Sequence, residues 1–330
     1  MARADLLKKL FSSFKQDDKD LFYKVAIEII EDEQKKNHGI LANDLKKILN
    51  GNYQFKKNMS NFIVDTPKDD SKDASLVEIH YPDKYFSDLV TTNEKIEQLE
   101  EIIREFNNWD VLTSNGVFPT RRILFYGPPG CGKTLAANAL ASEIGIPMIY
   151  VRFDALISSY LGETASNIRK VFDYAKTDSW IIFFDEFDAI GRSRNDTSEH
   201  GEIKRVVNAF LQQIDNFHKR SLIIAATNFE QSLDYAIWRR FDETIRFDMP
   251  TNEEKMRIFK MKMKKFNGPD HLLINYMDDI ESFSHSDIER ICHIIMKQCI
   301  LDGKKIYTRN DIEYAVKKQK NIVALRKTQY

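Results

Sequence analysis

The chain has 330 residues, 42% hydrophobic and 30% charged, with 49 lysines and arginines against 50 aspartates and glutamates. That length can bury a sizeable core and build two or three compact units. The formal net charge of -1 gives none of the global field that draws proteins to nucleic acid or anionic membrane. Three cysteines, Cys131, Cys292 and Cys299, are an odd number without paired short spacing, which argues against a disulfide framework or a zinc site. No apolar run reaches the roughly 18–20 residues that span a bilayer, and residues 1–15 are amphipathic and unlike a secretory signal. The composition therefore reads as a cytoplasmic protein with no membrane partner.

Three helical stripes open the chain. Leu6, Leu7, Leu10, Phe11 and Phe14 share one face; Leu21, Phe22, Val25, Ala26, Ile29 and Ile30 repeat it; Ile40, Leu41, Leu45, Ile48 and Leu49 make a shorter third stripe, stopped at Gly51. Short connections predict a small antiparallel bundle over residues 1–50. Residues 51–84 are polar and read as a linker. Within it Leu76-Val77-Glu78-Ile79-His80 alternates as a short strand would.

From about residue 85 the texture changes. Apolar runs at 123–126, 148–151, 180–184, 222–226 and 244–247 alternate with helical stretches. This pattern predicts an α/β domain over 85–250, a mostly parallel sheet with helices on both faces. Residues 251–330 read as wholly helical, a lid on that domain, with Cys292 and Cys299 as buried thiols of one helix.

Gly127-Pro128-Pro129-Gly130-Cys131-Gly132-Lys133-Thr134 fits GxxxxGK[ST] between a predicted strand and a predicted helix, the context that a P-loop requires. Its glycines turn backbone N–H groups inward as an anion nest, and the helix N-terminus adds partial positive charge. Lys133 is placed to reach the β- and γ-phosphates of ATP, and the Thr134 hydroxyl to ligate Mg²⁺. The run Trp180-Ile181-Ile182-Phe183-Phe184 leads straight into Asp185-Glu186. Carboxylates at the end of a buried strand are costly without a counter-charge, and ligands of open α/β sheets sit at that end. Asp185 is therefore expected to hold Mg²⁺ and Glu186 to polarise the attacking water. Arg239-Arg240 could neutralise charge on a transferring phosphoryl group, or could equally form surface salt bridges with Asp234 and Asp242.

In order and spacing these residues resemble the AAA branch of the AAA+ ATPases over roughly residues 86–321. The cradle resembles Walker A, Phe184-Asp185-Glu186 resembles Walker B, and Ala226-Thr227-Asn228 resembles the sensor-1 strand end. The resemblance implies that Asn228 orients the lytic water and that Arg239 and Arg240 enter the neighbouring subunit's site. A closed head-to-tail ring, by family precedent a homo-hexamer, follows from that arrangement. Many relatives carry Pro-Gly between the two arginines. This chain does not, and so resembles the compact form of severing and scission relatives.

Ser158-Ser159-Tyr160-Leu161-Gly162-Glu163 resembles the family's first pore loop, in which Tyr160, Leu161 and Gly162 grip an extended polypeptide; His200-Gly201-Glu202 falls where a second would be. The resemblance places Asp88 and Val90 against the adenine. Phe283-Ser284-His285-Ser286-Asp287-Ile288 corresponds to the lid motif over the base, with His285-Ser286 where relatives have Gly-Ala. The implied function is ATP-driven remodelling or threading of a polypeptide. The compact layout also resembles bacterial stand-alone ATPases paired with a subtilisin-like serine protease in anti-phage defence. The alternatives are a nucleic-acid motor or loader, disfavoured by the neutral charge, and a nucleotide-gated scaffold, disfavoured by the joint presence of Lys133, Glu186, Asn228 and the two arginines.

Overall fold

The computed structural model describes residues 4–15, 19–35, 66–69, 74–152, 156, 161–187, 200–229 and 235–327. The chain divides into a first unit, residues 1–65 with 145–147, and a second, residues 66–144 with 148–330. In the first unit, helices α1 (Ala4–Lys15) and α2 (Lys19–Lys35) form a hairpin closed by Leu6 and Leu10 against Val25 and Ile29. Leu7, Phe11 and Leu21 stay exposed. The expected third stripe, residues 40–49, lies outside the described residues.

The second unit is built on a six-stranded sheet of β1 (Val77–His80), β2 (Arg122–Tyr126), β3 (Met148–Val151), β4 (Ile181–Phe184), β5 (Leu222–Thr227) and β6 (Glu243–Arg246). The order is β1-β3-β4-β5-β2-β6. β1 is antiparallel to β3, and the other five strands run parallel. Every residue of β4 and β5 is buried, as expected for central parallel strands covered on both faces. The alternation at 76–80 is thus the outer strand of the sheet, and the second unit takes in residues 66–84 that the sequence places in a linker.

Helices α3 (Asn93–Asn107), α4 (Trp109–Ser114), α5 (Lys133–Ile144), α6 (Leu161–Ala175), α7 (His200–Asp215) and α8 (Tyr235–Trp238) accompany the sheet. An aromatic cluster locks α6 and α7 onto β4. Phe184 lies 5.9 Å from Phe172 and 5.0 Å from Phe210, ring centre to centre, and Phe187 lies 4.9 Å from Phe210. After the sheet come α9 (Asn252–Met263), a 3₁₀ turn (Asp270–Tyr276), α10 (His285–Leu301) and α11 (Arg309–Lys327). They enclose a core of their own around Phe259, Ile288, Ile291, Ile295 and Ile312, which also takes in Val90. Cys292 and Cys299 are fully buried there, as the helical spacing predicts. Capping boxes start α9 at Thr251 with Glu254 and α10 at Ser284 with Asp287, each satisfying donors that a helix start leaves open. Among the described residues no helix is long and apolar enough to cross a membrane.

Phe172 has no exposed surface and touches rings on β4, α7 and the turn after α7. Phe172→Ala should lower stability by about 3–5 kcal/mol through lost burial and the cavity it leaves, read from the midpoint of denaturant unfolding.

Candidate active site

Register brings the site together. β5 pairs with β2 on one side and β4 on the other, with Tyr126 opposite Thr227 and Phe184 opposite Ala225. The segments leaving these strands are the cradle, Asp185-Glu186 and Asn228, and they emerge at one edge of the sheet. Gly127 has φ +129°, and a Cβ there would overlap the Phe247 carbonyl oxygen. Only glycine lets the loop leave β2 at that angle. Lys133 is buried and its Nζ donates to the Gly127 and Pro128 carbonyls at 2.7 and 2.9 Å. Cys131 packs its Sγ 3.6 Å from Met249 Sδ, and burial pushes the thiol up to about 11, so it fills space and does not ionise near neutrality.

Both oxygens of Asp185 are engaged. Oδ1 accepts from the Glu186 backbone N–H at 2.9 Å, and Oδ2 accepts from the Thr134 hydroxyl at 2.9 Å and the Tyr150 hydroxyl at 3.3 Å. Burial first, then Asp185 itself and Glu186, push the Tyr150 hydroxyl up to about 12, so it remains a donor. Glu186 is exposed and has φ +50°, among the described residues the sole non-glycine with positive φ. Such a conformation is costly for a side-chain-bearing residue and gathers at working sites. It turns the chain so that Phe187 re-enters the core and its N–H reaches the Ala226 carbonyl at 2.8 Å. Glu186 is thereby held out at the rim beside the cradle. A hydroxyl and a carboxylate 2.9 Å apart at a helix start are hard oxygen donors that suit Mg²⁺ held mainly by phosphates and water. Among the described residues no cluster of three or more His, Cys, Asp or Glu side chains exists to hold a metal by itself.

The helical lid is tied to this site at two points. The Ser286 N–H donates to the Gly130 carbonyl at 3.0 Å. His285 Nε2 lies 3.0 Å from the Val90 carbonyl; a carbonyl only accepts, so Nε2 carries the proton. Burial holds His285 below its ordinary pKa, which keeps the ring neutral and leaves Nδ1 buried and unpartnered among the described residues. A mainly apolar pocket lies between these ties, lined by Val90, Gly132, Leu135, Ile258, Met261 and His285. Asp88 also lines it, but its carboxylate caps the preceding turn by accepting from the Tyr85 N–H at 3.0 Å.

The two arginines separate. Arg240 Nε pairs with Asp215 at 3.1 Å, whereas Arg239 is exposed and makes no ion pair among the described residues. Asp242, which the sequence offers as a surface partner for them, instead takes a two-pronged contact from Arg122 at 2.6 and 3.1 Å and caps the Arg121 and Arg122 N–H groups at 3.0 Å each.

Residues 123–249 match the family described as ATPase family associated with various cellular activities (AAA). A protein of Sinorhizobium fredii named as an uncharacterised AAA family ATPase is 40% identical over 316 residues, covering 96% of this chain and 95% of the relative. The chain belongs to the AAA family. Proteins named proteasome-activating nucleotidases are similar over less of their length. That of Sulfurisphaera tokodaii is 32% identical over 84% of this chain and 74% of its own, and that of Saccharolobus solfataricus 34% over 76% and 66%. As a member of this family the protein is an ATP-binding enzyme that hydrolyses ATP.

Of the residues expected to grip substrate in this AAA ATPase, Tyr160 lies outside the described residues, and Leu161 and Gly162 form the first turn of α6. His200-Gly201-Glu202 begins α7. Sequence reasoning does not single out Tyr150, Asp215 or the two lid contacts. A tyrosine at the carboxyl end of an otherwise aliphatic buried strand was the available signal for Tyr150. Nothing in the sequence marks Asp215.

Gly130 has φ +74°, and a Cβ on it would overlap the Ser284 and Ser286 hydroxyls. Gly130→Ala should therefore push the lid off the cradle and weaken ATP binding about tenfold or more, with little change in melting temperature, as read by fluorescent-nucleotide titration.

Proposed function

We propose that this AAA ATPase works as a ring, by family precedent a hexamer, in which each ATP site is shared by two subunits and hydrolysis threads a polypeptide through the centre. The observation that carries this reading is the placement of Arg239. It is exposed and unpaired among the described residues, next to an arginine clamped by Asp215, which suits a guanidinium meant for a neighbouring copy's phosphate.

Within one chain the roles run as follows. The cradle 127–134 binds the triphosphate through backbone N–H groups, and Lys133 exchanges its loop carbonyls for phosphate oxygens. Thr134 and Asp185 would hold Mg²⁺, which would supply charge neutralisation on the triphosphate. Glu186 takes the proton of the attacking water, and Asn228, on the turn after β5, orients that water. Asp88 and Val90 lie beside the base, Asp88 shaping the turn and Val90 contributing its backbone. Tyr160, Leu161 and Gly162 hold the substrate, with Tyr160 offering a flat face that tolerates any sequence.

Similarity to proteins named for activating a proteasome supports a downstream partner that cleaves what the ring unfolds. The subtilisin-like partner and the defence setting rest on the sequence resemblance alone.

Glu186→Gln should bind ATP normally yet hydrolyse it about a hundredfold to a thousandfold more slowly, and should retain a disordered polypeptide tail that Tyr160→Ala releases. ATPase stimulation by DNA and not by polypeptide would favour the nucleic-acid motor instead. Arg239→Ala should lower turnover by about a thousandfold, and Arg240→Ala by less. Mixing Arg239→Ala with Glu186→Gln subunits should restore part of the activity, because some interfaces then pair an intact arginine with an intact glutamate. No recovery at any ratio rules out the shared site.

A further inference from the structure

Tyr150 occupies a position that the nucleotide machinery above does not explain. It stands at the carboxyl end of β3, opposite Phe183 in the parallel pairing with β4 and opposite Glu78 in the antiparallel pairing with β1. Side chains alternate across a sheet, so Asp185, two residues beyond Phe183, lies on the same face and one step further towards the site. The Tyr150 ring packs on Phe183, 5.7 Å between centres, and stacks on His80 of β1 at 5.2 Å and 14°. Its hydroxyl then reaches Asp185 Oδ2, the oxygen that also takes the Thr134 proton. An aliphatic residue would satisfy the packing of that strand. The hydroxyl adds only the hydrogen bond to Asp185.

We propose that Tyr150 is a positioning residue for the metal-holding carboxylate, and that His80, by stacking on its ring, makes the outer strand β1 part of the support of the ATP site. The inference rests on the assignment of Asp185 to Mg²⁺. The physical reason is geometric. With Oδ1 fixed by the Glu186 N–H and Oδ2 held by Thr134 from one side and Tyr150 from another, the carboxylate plane has no freedom to swing about its terminal torsion. Partners of this kind orient ligands and tune metal affinity. Were Thr134 to hold Mg²⁺ through its hydroxyl oxygen, its proton could still be donated to Oδ2, and Tyr150 would keep the carboxylate from rotating. The ring side of the arrangement is equally specific, since a phenol reaching 3.3 Å from an oxygen needs its plane fixed, and His80 and Phe183 fix it from two directions.

The readout is the coupling between metal and nucleotide. In the full chain carrying Glu186→Gln to stop turnover, the dissociation constant of a fluorescent ATP analogue is measured with excess Mg²⁺ and with EDTA, and the ratio of the two reports what the metal contributes. Tyr150→Phe keeps the ring, the stack and the packing, and should lower that ratio about fivefold to tenfold, the worth of one hydrogen bond to a charged group, with the EDTA value unchanged. His80→Ala should lower it in the same direction by a smaller factor. A ratio unchanged in Tyr150→Phe overturns the positioning role. Equal weakening with and without metal also overturns it, because that is what mere packing would do. Asp185→Asn separates the two levels: collapse of its ratio towards one upholds the metal assignment whatever Tyr150→Phe does, and an unchanged ratio refutes the assignment itself.

Discussion

A carboxylate where a wholly buried strand ends calls for hydrogen-bond donors, and the second unit is arranged around supplying them to Asp185. The donors come from three elements: the Glu186 N–H from the turn after β4, the Thr134 hydroxyl from the first turn of α5, and the Tyr150 hydroxyl from β3. The strand order places β5 between β2 and β4, so the bond from Thr134, which follows β2, to Asp185, which follows β4, spans the end of β5. The same geometry leaves the cradle's inward-facing N–H groups beside an acidic group with hard oxygens, which is the local chemistry that a metal-bound triphosphate needs.

Around that point the backbone is held in conformations that little else would justify. Glu186 takes a left-handed φ so that Phe187 can return to the aromatic cluster on α6 and α7. Gly130 leaves room for the lid's Ser284 and Ser286 hydroxyls and accepts the Ser286 N–H. Strain at the rim is offset by burial immediately behind it, in rings with essentially no exposed surface.

The parts legible in the sequence were those encoded over a few consecutive residues. The cradle is one continuous pattern, β4 and β5 are unbroken apolar runs, and the stretch after residue 250 reads as helical, with Cys292 and Cys299 buried on one helix. What escaped reading depends on partners far away in the chain. Tyr150 acquires its meaning from Asp185, Arg240 from Asp215, and Arg122 from Asp242, and no local pattern announces such pairs. The start of the second unit was obscured for a different reason. Residues 66–75 have loop composition, yet among the described residues a bridge between Lys68 and Ser75 and the Leu76 N–H to Pro67 carbonyl bond tie residues 66–69 to 74–76 just before β1. The His285-Ser286 substitution of the usual small pair, unexplained by sequence, has a structural account in the Val90 and Gly130 contacts.

The ion pairs around Arg240 have a mechanical consequence. Arg240 holds Asp215 at the end of α7, Asp215 also lies 3.6 Å from Arg122, and Arg122 is gripped by Asp242 where β2 begins. β2 is paired on both sides, with β5 and β6, and runs directly into Gly127. A load applied to Arg240 from outside the chain therefore passes through ion pairs into β2, whose far end leads into the subunit's own phosphate cradle.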